Sequence, residues 1–435
     1  MSITFGTDGV RGVANVDLTP EVVMALGRAT AHVLGADAFL VGRDTRVSSP
    51  ILSSAVTTGL AAEGADVTDL GVLPTPALAR AAAARDIPAV MISASHNPYP
   101  DNGVKVLGRG GRKLSDELEA RIAAAVDRPG RDGPVGQVRQ ESVDEWYVDA
   151  VVASLDGRRL DGLRVVIDCA CGAASFVAAH AFRAAGAAVT AIHDDPGDGT
   201  RINDGCGSTH PESLQQTVVA AGAHVGLAFD GDADRVLAVD NEGALVDGDS
   251  IMAICALDWR RRGRLRGDTV VVTVMTNLGF RLAMVDHGVS VIETNVGDRY
   301  VLEALEAGNY SLGGEQSGHI ILRDLATTGD GILTGLHLLD VLTRSGQRLA
   351  ALSTSAMTRL PQVLRSVKVG DRSALDGADA VWAAVAAVEA ELGDRGRVLL
   401  RPSGTEPVVR VMVEAPTETI AAAAAQRLAA LVAEL

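Results

Sequence analysis

The stretch Met91-Ile-Ser-Ala-Ser-His-Asn-Pro-Tyr-Pro-Asp-Asn-Gly-Val-Lys105 sets a hydroxyl (Ser95), an imidazole (His96) and an amine (Lys105) close together in sequence. These are groups from which nucleophilic and acid–base chemistry is built. Ala89, Val90, Met91 and Ile92 form the short apolar run of a buried strand, and Asn97-Pro98 and Asp101-Asn102-Gly103 are turn chemistry. Ser95 is therefore expected at the carboxyl end of a strand, the edge at which open α/β sheets bind ligands. Of 39 basic residues only Lys105, Lys113 and Lys368 are lysines. Arg stays protonated, whereas the pKa of a Lys amine can be lowered by its surroundings until it exchanges a proton, so Lys105 reads as a general acid or base. The alternative is a plain polar turn in which Ser95 and Asn97 are caps.

Three further segments carry chemistry. In His224-Val-Gly-Leu-Ala-Phe-Asp230-Gly-Asp232-Ala-Asp234-Arg235 an apolar strand runs into three carboxylates, which repel one another unless a cation sits among them. A calcium EF-hand loop needs Gly and Glu where this chain has Arg235 and Asn241, so a hard Mg²⁺ ion completed by a phosphate oxygen suits the pattern better. A solvated acidic turn is the competing reading. In Gly313-Gly-Glu315-Gln-Ser317-Gly-His319, the residues Glu315, Ser317 and His319 have period two; in an extended segment they form a comb facing sugar hydroxyls. In Leu399-Leu-Arg401-Pro-Ser403-Gly404-Thr405-Glu-Pro-Val-Val-Arg410, two guanidinium groups, two hydroxyls and a glycine N–H make a phosphate cradle, or else a hairpin turn with incidental charge.

These segments, in this order, together with Phe5-Gly-Thr-Asp-Gly-Val-Arg11-Gly and Asn203-Asp-Gly-Cys-Gly-Ser-Thr209, resemble the α-D-phosphohexomutase superfamily over nearly the whole chain, most closely its bacterial glucosamine-phosphate members. The resemblance implies that Ser95 is a phosphoserine and that one Mg²⁺ per subunit is held by Asp230, Asp232, Asp234 and the Ser95 phosphate. It further implies that Lys105 handles the proton of the attacking hydroxyl and that Glu315, Ser317 and His319 meet the sugar. Arg401, Ser403, Gly404, Thr405 and Arg410 then hold the phosphate that does not react. Arg11, His96, Arg235 and an Arg43–Asp44 pair are implied as supporting groups near the nucleophile.

The implied reaction interconverts glucosamine 6-phosphate and glucosamine 1-phosphate through phosphorylated Ser95 and a glucosamine 1,6-bisphosphate that is both intermediate and activator. It supplies the amino-sugar nucleotide route to UDP-N-acetylglucosamine and the cell wall. Two readings compete with it. The same chemistry could prefer glucose or mannose phosphates, since no residue is seen to recognise the 2-amino group, or the chain could be a catalytically silent phosphosugar sensor. One departure from the family pattern stands in Val166-Ile-Asp-Cys169-Ala-Cys171-Gly-Ala, where Cys171 replaces a common Asn.

Bounds and elements agree with such an enzyme. A chain of 435 residues holds three or four domains of typical size, and a net charge of −16 argues against nucleic acid and acidic membranes as partners. The expected partners are small-molecule hexosamine phosphates; a homodimer is compatible, and the oligomeric state is open. Arg260-Arg-Arg262-Gly-Arg264 reads as a solvated helix end. Met1-Ser-Ile-Thr-Phe leads straight into a Gly-rich motif, and no apolar run reaches the ~18 residues of a membrane span, so neither a signal peptide nor a span is expected. Cys169 and Cys171 lack the second cysteine pair of a zinc site and Cys206 and Cys255 stand alone in sequence, so free thiols and a cytoplasmic location are expected.

Strands at Phe39–Val41, Val67–Leu70 and Ala89–Ile92, with helices after Ser49 and Thr75, make a first α/β domain, 1–153, that presents the Ser95 loop. A second, 154–257, presents the aspartates, and a third, 258–360, presents the sugar loop and a helix around Gly331–Thr343. The last, 361–435, reads as a smaller α+β domain with the phosphate loop. It has a strand near Val363–Val369, a helix at Ala378–Leu392 and a final helix from Glu418. The fold class is thus three tandem mixed α/β domains followed by a smaller α+β domain, with the site in the central cleft. The Ala-rich stretches at 81–84 and 421–425 fall on helices.

Overall fold

A computed structural model of the chain describes residues 3–6, 8–370, 372–402 and 408–435. It falls into two compact units, Met1–Met275 with Val289–Thr354, and Thr276–Gly288 with Ser355–Leu435. The first unit is built on three sheets. Strands β1 (Val10–Val13), β2 (Ala38–Arg43), β3 (Asp66–Val72), β4 (Ala89–Ile92), β5 (Asp101–Gly108), β6 (Arg112–Lys113) and β7 (Val138–Gln140) make a seven-stranded sheet in the order β1-β5-β4-β2-β3-β7, with β6 on β5. β4, β2, β3 and β7 run parallel, while β5 lies antiparallel to both β4 and β1.

Strands β8 (Arg164–Asp168), β9 (Ala188–Ile192), β10 (Val225–Phe229), β11 (Val236–Asp240) and β12 (Leu245–Val246) form a second sheet ordered β12-β11-β10-β8-β9. The third comprises β13 (Thr269–Thr273), β14 (Ser290–Thr294), β15 (Leu312–Gly314) and β16 (Ile320–Leu322) in the order β14-β13-β15-β16. In the second unit β17 (Gln362–Lys368), β18 (Arg397–Pro402) and β19 (Val408–Glu414) pair antiparallel, with β19 central. The architecture is three tandem mixed α/β sheets followed by a smaller α+β part, the fold class the sequence pattern indicates.

The central strands are apolar along their whole length because both faces are covered, as parallel sheets require. Every residue of β4 and of β10 is buried. Around the first sheet, Val23 and Leu26 of helix Pro20–Leu34 and Leu52, Val56 and Leu60 of helix Ser49–Ala62 pack with Phe39 and Val41 of β2. Each such side chain contributes about 1.5–3 kcal/mol through burial. The first helix starts where Thr19 Oγ1 accepts the Val22 N–H, with proline in the first turn, and stops at Gly35 with φ 59°. The two helices cross closely at glycines: a Cβ on Gly59 would stand 2.1 Å from the Met24 carbonyl oxygen, and one on Gly27 2.6 Å from that of Val56.

The strands expected at Phe39–Val41, Val67–Leu70 and Ala89–Ile92 lie within β2, β3 and β4, and the helices expected after Ser49 and Thr75 are Ser49–Ala62 and Thr75–Arg85. Both Ala-rich stretches are helical, the second in Glu418–Val432. The basic run ends helix Gly248–Arg261 as expected, yet it is only partly solvated: Arg262 reaches Asp258 at 3.5 Å and Asp340 at 3.6 Å, and Arg264 lies over the Trp259 ring. That helix runs through position 257. Helix Leu278–Asp286 groups with the second unit, whereas its place in the sequence joins it to 258–360. The reason is Glu414, fully buried on β19, which accepts from Asn277 Nδ2 at 3.1 Å and from Leu278 N at 2.9 Å. No described helix is long and apolar enough to cross a membrane.

Candidate active site

Beyond β4 the chain turns sharply, and Ser95 takes φ 55° while 1% exposed. A left-handed conformation costs a non-glycine residue about 1–2 kcal/mol, so the surroundings must hold it there. Ser93 Oγ accepts the Ser95 N–H at 2.9 Å, and Asn203 Nδ2 donates to the carbonyls of Ser95 and Asn97 at 2.9 and 3.0 Å. The dominant clamp is Arg46, fully buried, whose Nη2 donates to the carbonyls of Ser95 (2.9 Å) and Asn97 (2.8 Å) and whose Nη1 donates to those of Pro98 (2.5 Å) and Asp101 (2.9 Å). Its Nε donates to Asp44 Oδ2 at 2.8 Å. The expected Arg43–Asp44 pair is therefore corrected to Arg46–Asp44. Arg43 at the end of β2 is half-buried, its Nη1 without a hydrogen-bond partner among the described residues. Alternation along a strand could not foresee this, because Asp44 and Arg46 lie past the last residue of β2.

Ser95 Oγ donates to Asp230 Oδ2 at 2.5 Å and lies 3.3 Å from His96 Nδ1. Burial pushes the His96 pKa down to about 4, with Arg235 and Arg11 adding to the effect, so the ring is neutral. Asp230, Asp232 and Asp234 follow β10 directly and are all buried, with ligand atoms within 4.8 Å of one another. Gly231 lets them approach the Ser95 loop, since a Cβ there would stand 2.7 Å from the Ser95 carbonyl oxygen. Burial, and then Asp234 and Asp232, raise the Asp230 pKa well above the ordinary carboxylate range. Asp232 Oδ1 and Asp234 Oδ1 have no hydrogen-bond partner among the described residues. Buried carboxylate oxygens without donors, clustered beside a hydroxyl, are the donor set of a hard divalent cation, and these residues fit Mg²⁺.

Lys105, on β5, sends Nζ to Asp232 Oδ2 at 2.8 Å, Asp8 at 2.9 Å and Asp234 at 3.4 Å. Burial opposes its charge, but Asp232, Asp8 and Asp234 more than offset that, and its pKa is raised well above the ordinary lysine value. The expectation of a lowered amine pKa is corrected for this carboxylate environment, which holds the Lys105 amine protonated. Asp8, which the sequence pattern does not single out, joins the cluster. It accepts from Lys105, from Lys113 at 2.7 Å and from Arg11, whose Nη1 also donates to Asn97 Oδ1 at 3.1 Å. Lys113 continues to Asp298 at 2.8 Å, so two of the chain's three lysines lie in one charged network. Scarcity of lysine was a signal for Lys113 as much as for Lys105. The pattern does not single out Thr75 either; its Oγ1 donates to Asp232 Oδ2 at 2.6 Å.

The stretch from Glu315 to His319 is not extended. Gly318 N donates to the Glu315 carbonyl and Glu315 N to that of His319, both at 3.0 Å, closing a turn between β15 and β16. The period-two comb is thus corrected: Gly318, at φ 90°, folds the segment back. Ser317 Oγ remains 3.5 Å from Glu315 Oε2, and Glu315 Oε1 accepts the Gly297 N–H at 3.1 Å. His319 is buried and turns toward the acids, 3.6 Å from Asp234 and 3.4 Å from Asp298. Burial works against its charge, yet Asp234 and Asp298 raise its pKa to about 9. Arg235 Nε lies 3.8 Å from Asp234 and its backbone N–H donates to Asp230 Oδ1 at 3.2 Å. In the second unit Arg401 and Arg410 face one another across β18 and β19. Burial and the neighbouring Arg410 charge lower the Arg401 pKa, as expected where an anion would be welcome. Ser403, Gly404 and Thr405 lie outside the described residues.

The chain matches four models of phosphoglucomutase/phosphomannomutase: alpha/beta/alpha domain I at residues 2–131, domain II at 145–243, domain III at 247–360 and the C-terminal domain at 364–431. It is 56% identical to a phosphoglucosamine mutase of Frankia alni, over 99% of this chain and 98% of that protein. It is 54% identical to one from a Mycobacterium species over the full length of both. Among solved structures, a phosphoglucomutase/phosphomannomutase family protein from Burkholderia thailandensis superposes with a TM-score of 0.82 at 26% identity, covering 98% of this chain and 97% of that one. The Aspergillus fumigatus N-acetylphosphoglucosamine mutase, in complex with GlcNAc-6P and magnesium, shares the fold with a TM-score of 0.74 at 19% identity, over 100% of this chain and 95% of that one.

Proposed function

The chain belongs to the phosphoglucomutase/phosphomannomutase family, and from that premise we propose that it interconverts glucosamine 6-phosphate and glucosamine 1-phosphate, the phosphoglucosamine mutase reaction. The observation that carries the proposal is the Ser95 hydroxyl, held 2.5 Å from Asp230 within a buried three-aspartate cluster whose Asp232 meets Lys105 Nζ at 2.8 Å. The full-length identity to phosphoglucosamine mutases directs the substrate to a hexosamine phosphate.

The enzyme begins as phosphoserine at Ser95. The O1 hydroxyl of glucosamine 6-phosphate attacks phosphorus; its O–P bond forms as the bond from phosphorus to Ser95 Oγ breaks, giving glucosamine 1,6-bisphosphate. After the bisphosphate turns end for end, Ser95 Oγ takes the phosphoryl from O6, which restores phosphoserine and leaves glucosamine 1-phosphate. In each half Lys105 gives its proton to the departing oxygen, Ser95 Oγ in the first and O6 in the second, and takes back the proton of the attacking hydroxyl. Asp230, Asp232 and Asp234, with the Ser95 phosphate, would hold one Mg²⁺; when bound it neutralises transferring charge and draws on two of the carboxylates that bind the Lys105 proton. Arg11, Arg235 and neutral His96 hold the phosphoserine end. Glu315, Ser317 and His319 meet the sugar, and Arg401, Ser403, Gly404, Thr405 and Arg410 hold the distal phosphate, converting binding energy into orientation.

Under this reading the domains are 1–153, 154–257, 258–360 and 361–435, each contributing one of the four loops, and the enzyme works in the cytoplasm on small phosphosugars. Four buried, unpaired cysteines support a reducing compartment. A coupled mutase assay with Mg²⁺ and a trace of bisphosphate tests the proposal. Parent enzyme should turn over glucosamine 6-phosphate in preference to glucose and mannose phosphates, and Ser95→Ala should have no measurable turnover. Ordinary activity in Ser95→Ala would refute the phosphoserine route, whereas preference for another hexose would refute only the substrate.

A further inference from the structure

A second cluster of ligating side chains stands apart from the three aspartates. Although Cys206 stands alone in the sequence, the fold packs it against Cys171 in a small buried group with Ala170, and ligand atoms of Asp168, His193 and Cys206 lie within 4.8 Å of one another. A histidine and a carboxylate from the ends of β9 and β8 thus stand beside this cysteine. His193 Nδ1 lies 3.0 Å from Asp168 Oδ2 but is not aligned for a hydrogen bond, and it is a buried nitrogen without such a partner. Asp168 is oriented by the N–H groups of Ala170 (2.9 Å) and Gly207 (3.0 Å), as a carboxylate beside a metal commonly is. Asp168 and Cys206 are at most 1% exposed and Cys171 is 4% exposed, while the His193 side chain retains 33%, which gives the cluster an edge at the surface.

We propose that Asp168, His193 and Cys206, with water as the fourth donor, form a binding site for a thiophilic divalent cation of the zinc class, separate from the Asp230–Asp232–Asp234 site. One carboxylate oxygen, one imidazole nitrogen and one sulfur, with water in the fourth place, are a tetrahedral donor mixture such an ion takes, with bonds of about 2.0–2.3 Å. The aspartate triad has oxygens alone and suits a harder ion, so ligand chemistry separates the two. Binding deprotonates the Cys206 thiol and releases its proton to solvent with no change of oxidation state. The site backs onto the nucleophile: Thr45 Oγ1 donates to the Cys171 carbonyl at 2.8 Å, and Asn203, which holds the Ser95 carbonyl, lies three residues before Cys206.

The test is a Co²⁺ titration of the reduced full-length protein in saturating Mg²⁺. It should develop the intense thiolate-to-cobalt charge-transfer band and tetrahedral visible bands at one equivalent, and Zn²⁺ should bleach both. The charge-transfer band should survive in Asp232→Asn and vanish in Cys206→Ser. His193→Gln, at a side chain partly open to solvent, should weaken binding at least tenfold and serves if Cys206→Ser fails to fold. Absence of the band in the parent, or its persistence unchanged in both Cys206→Ser and His193→Gln, overturns the proposal.

Discussion

Replacing Arg46 with Met should damage both stability and turnover, although Arg46 is not proposed to touch substrate. Its guanidinium makes five hydrogen bonds, one to Asp44 and four to backbone carbonyls of the Ser95 loop. Removing one partner of a buried ion pair costs about 3–5 kcal/mol. Asp44 would keep Ser49 Oγ at 2.7 Å, and Asn203 would still reach the carbonyls of Ser95 and Asn97, but those of Pro98 and Asp101 would lose this donor. We therefore expect a loss of about 4 kcal/mol in urea unfolding. Under conditions in which the variant stays folded, a displacement of Ser95 by about 1 Å should lower kcat about 100-fold. Arg46→Lys keeps the charge beside Asp44 but cannot span four carbonyls, and it should lie between the two. If Arg46→Met unfolded within about 1 kcal/mol of the parent and kept its kcat, the clamp would have no such role.

Chelation should abolish activity, and Mg²⁺ at 100 times its Kd should stabilise the protein by about 2.7 kcal/mol in thermal unfolding, a gain that Asp232→Asn should largely lose. Gly59→Ala should cost about 1–3 kcal/mol in denaturant unfolding, because its Cβ meets the Met24 carbonyl at 2.1 Å. Burial alone would raise the Asp258 pKa, but hydrogen bonds and charge from Arg344, 2.6 Å away, hold it below the ordinary value. A depressed folded pKa contributes stability above the unfolded value, about 3.9, that is lost as pH falls through the folded one. Arg344→Met should therefore be less stable by about 1–2 kcal/mol at pH 7, and the gap should narrow in acid unfolding as pH falls below the unfolded value.

Much of the site is legible along the chain because strand ends are local features. A run such as Ala89–Ile92 followed by Asn-Pro turn chemistry announces a ligand-facing edge, and Asp230, Asp232 and Asp234 declare a cation through mutual repulsion within five residues. Helices bounded by Thr19 and Gly35, or carrying the Ala-rich stretches, follow from capping and propensity in the same way. The extended comb from Glu315 to His319 failed because periodicity assumes a strand, whereas Gly318 closes a turn.

What the sequence by itself determined was the candidate chemistry-bearing groups, the order of the elements and the class of fold, since these depend on composition and short-range spacing. Only the tertiary structure decided which charges meet. Asp8 and Lys105 are 97 positions apart and Lys113 and Asp298 are 185 apart, yet all four join one network around Asp232 and Asp234. Likewise Arg46 rather than Arg43 is paired with Asp44, and Cys206 is set against Cys171. The physical reason is that a buried charge is stable only with partners, and those partners are supplied by whichever strand ends the sheets bring together, at separations on which local patterning has no bearing.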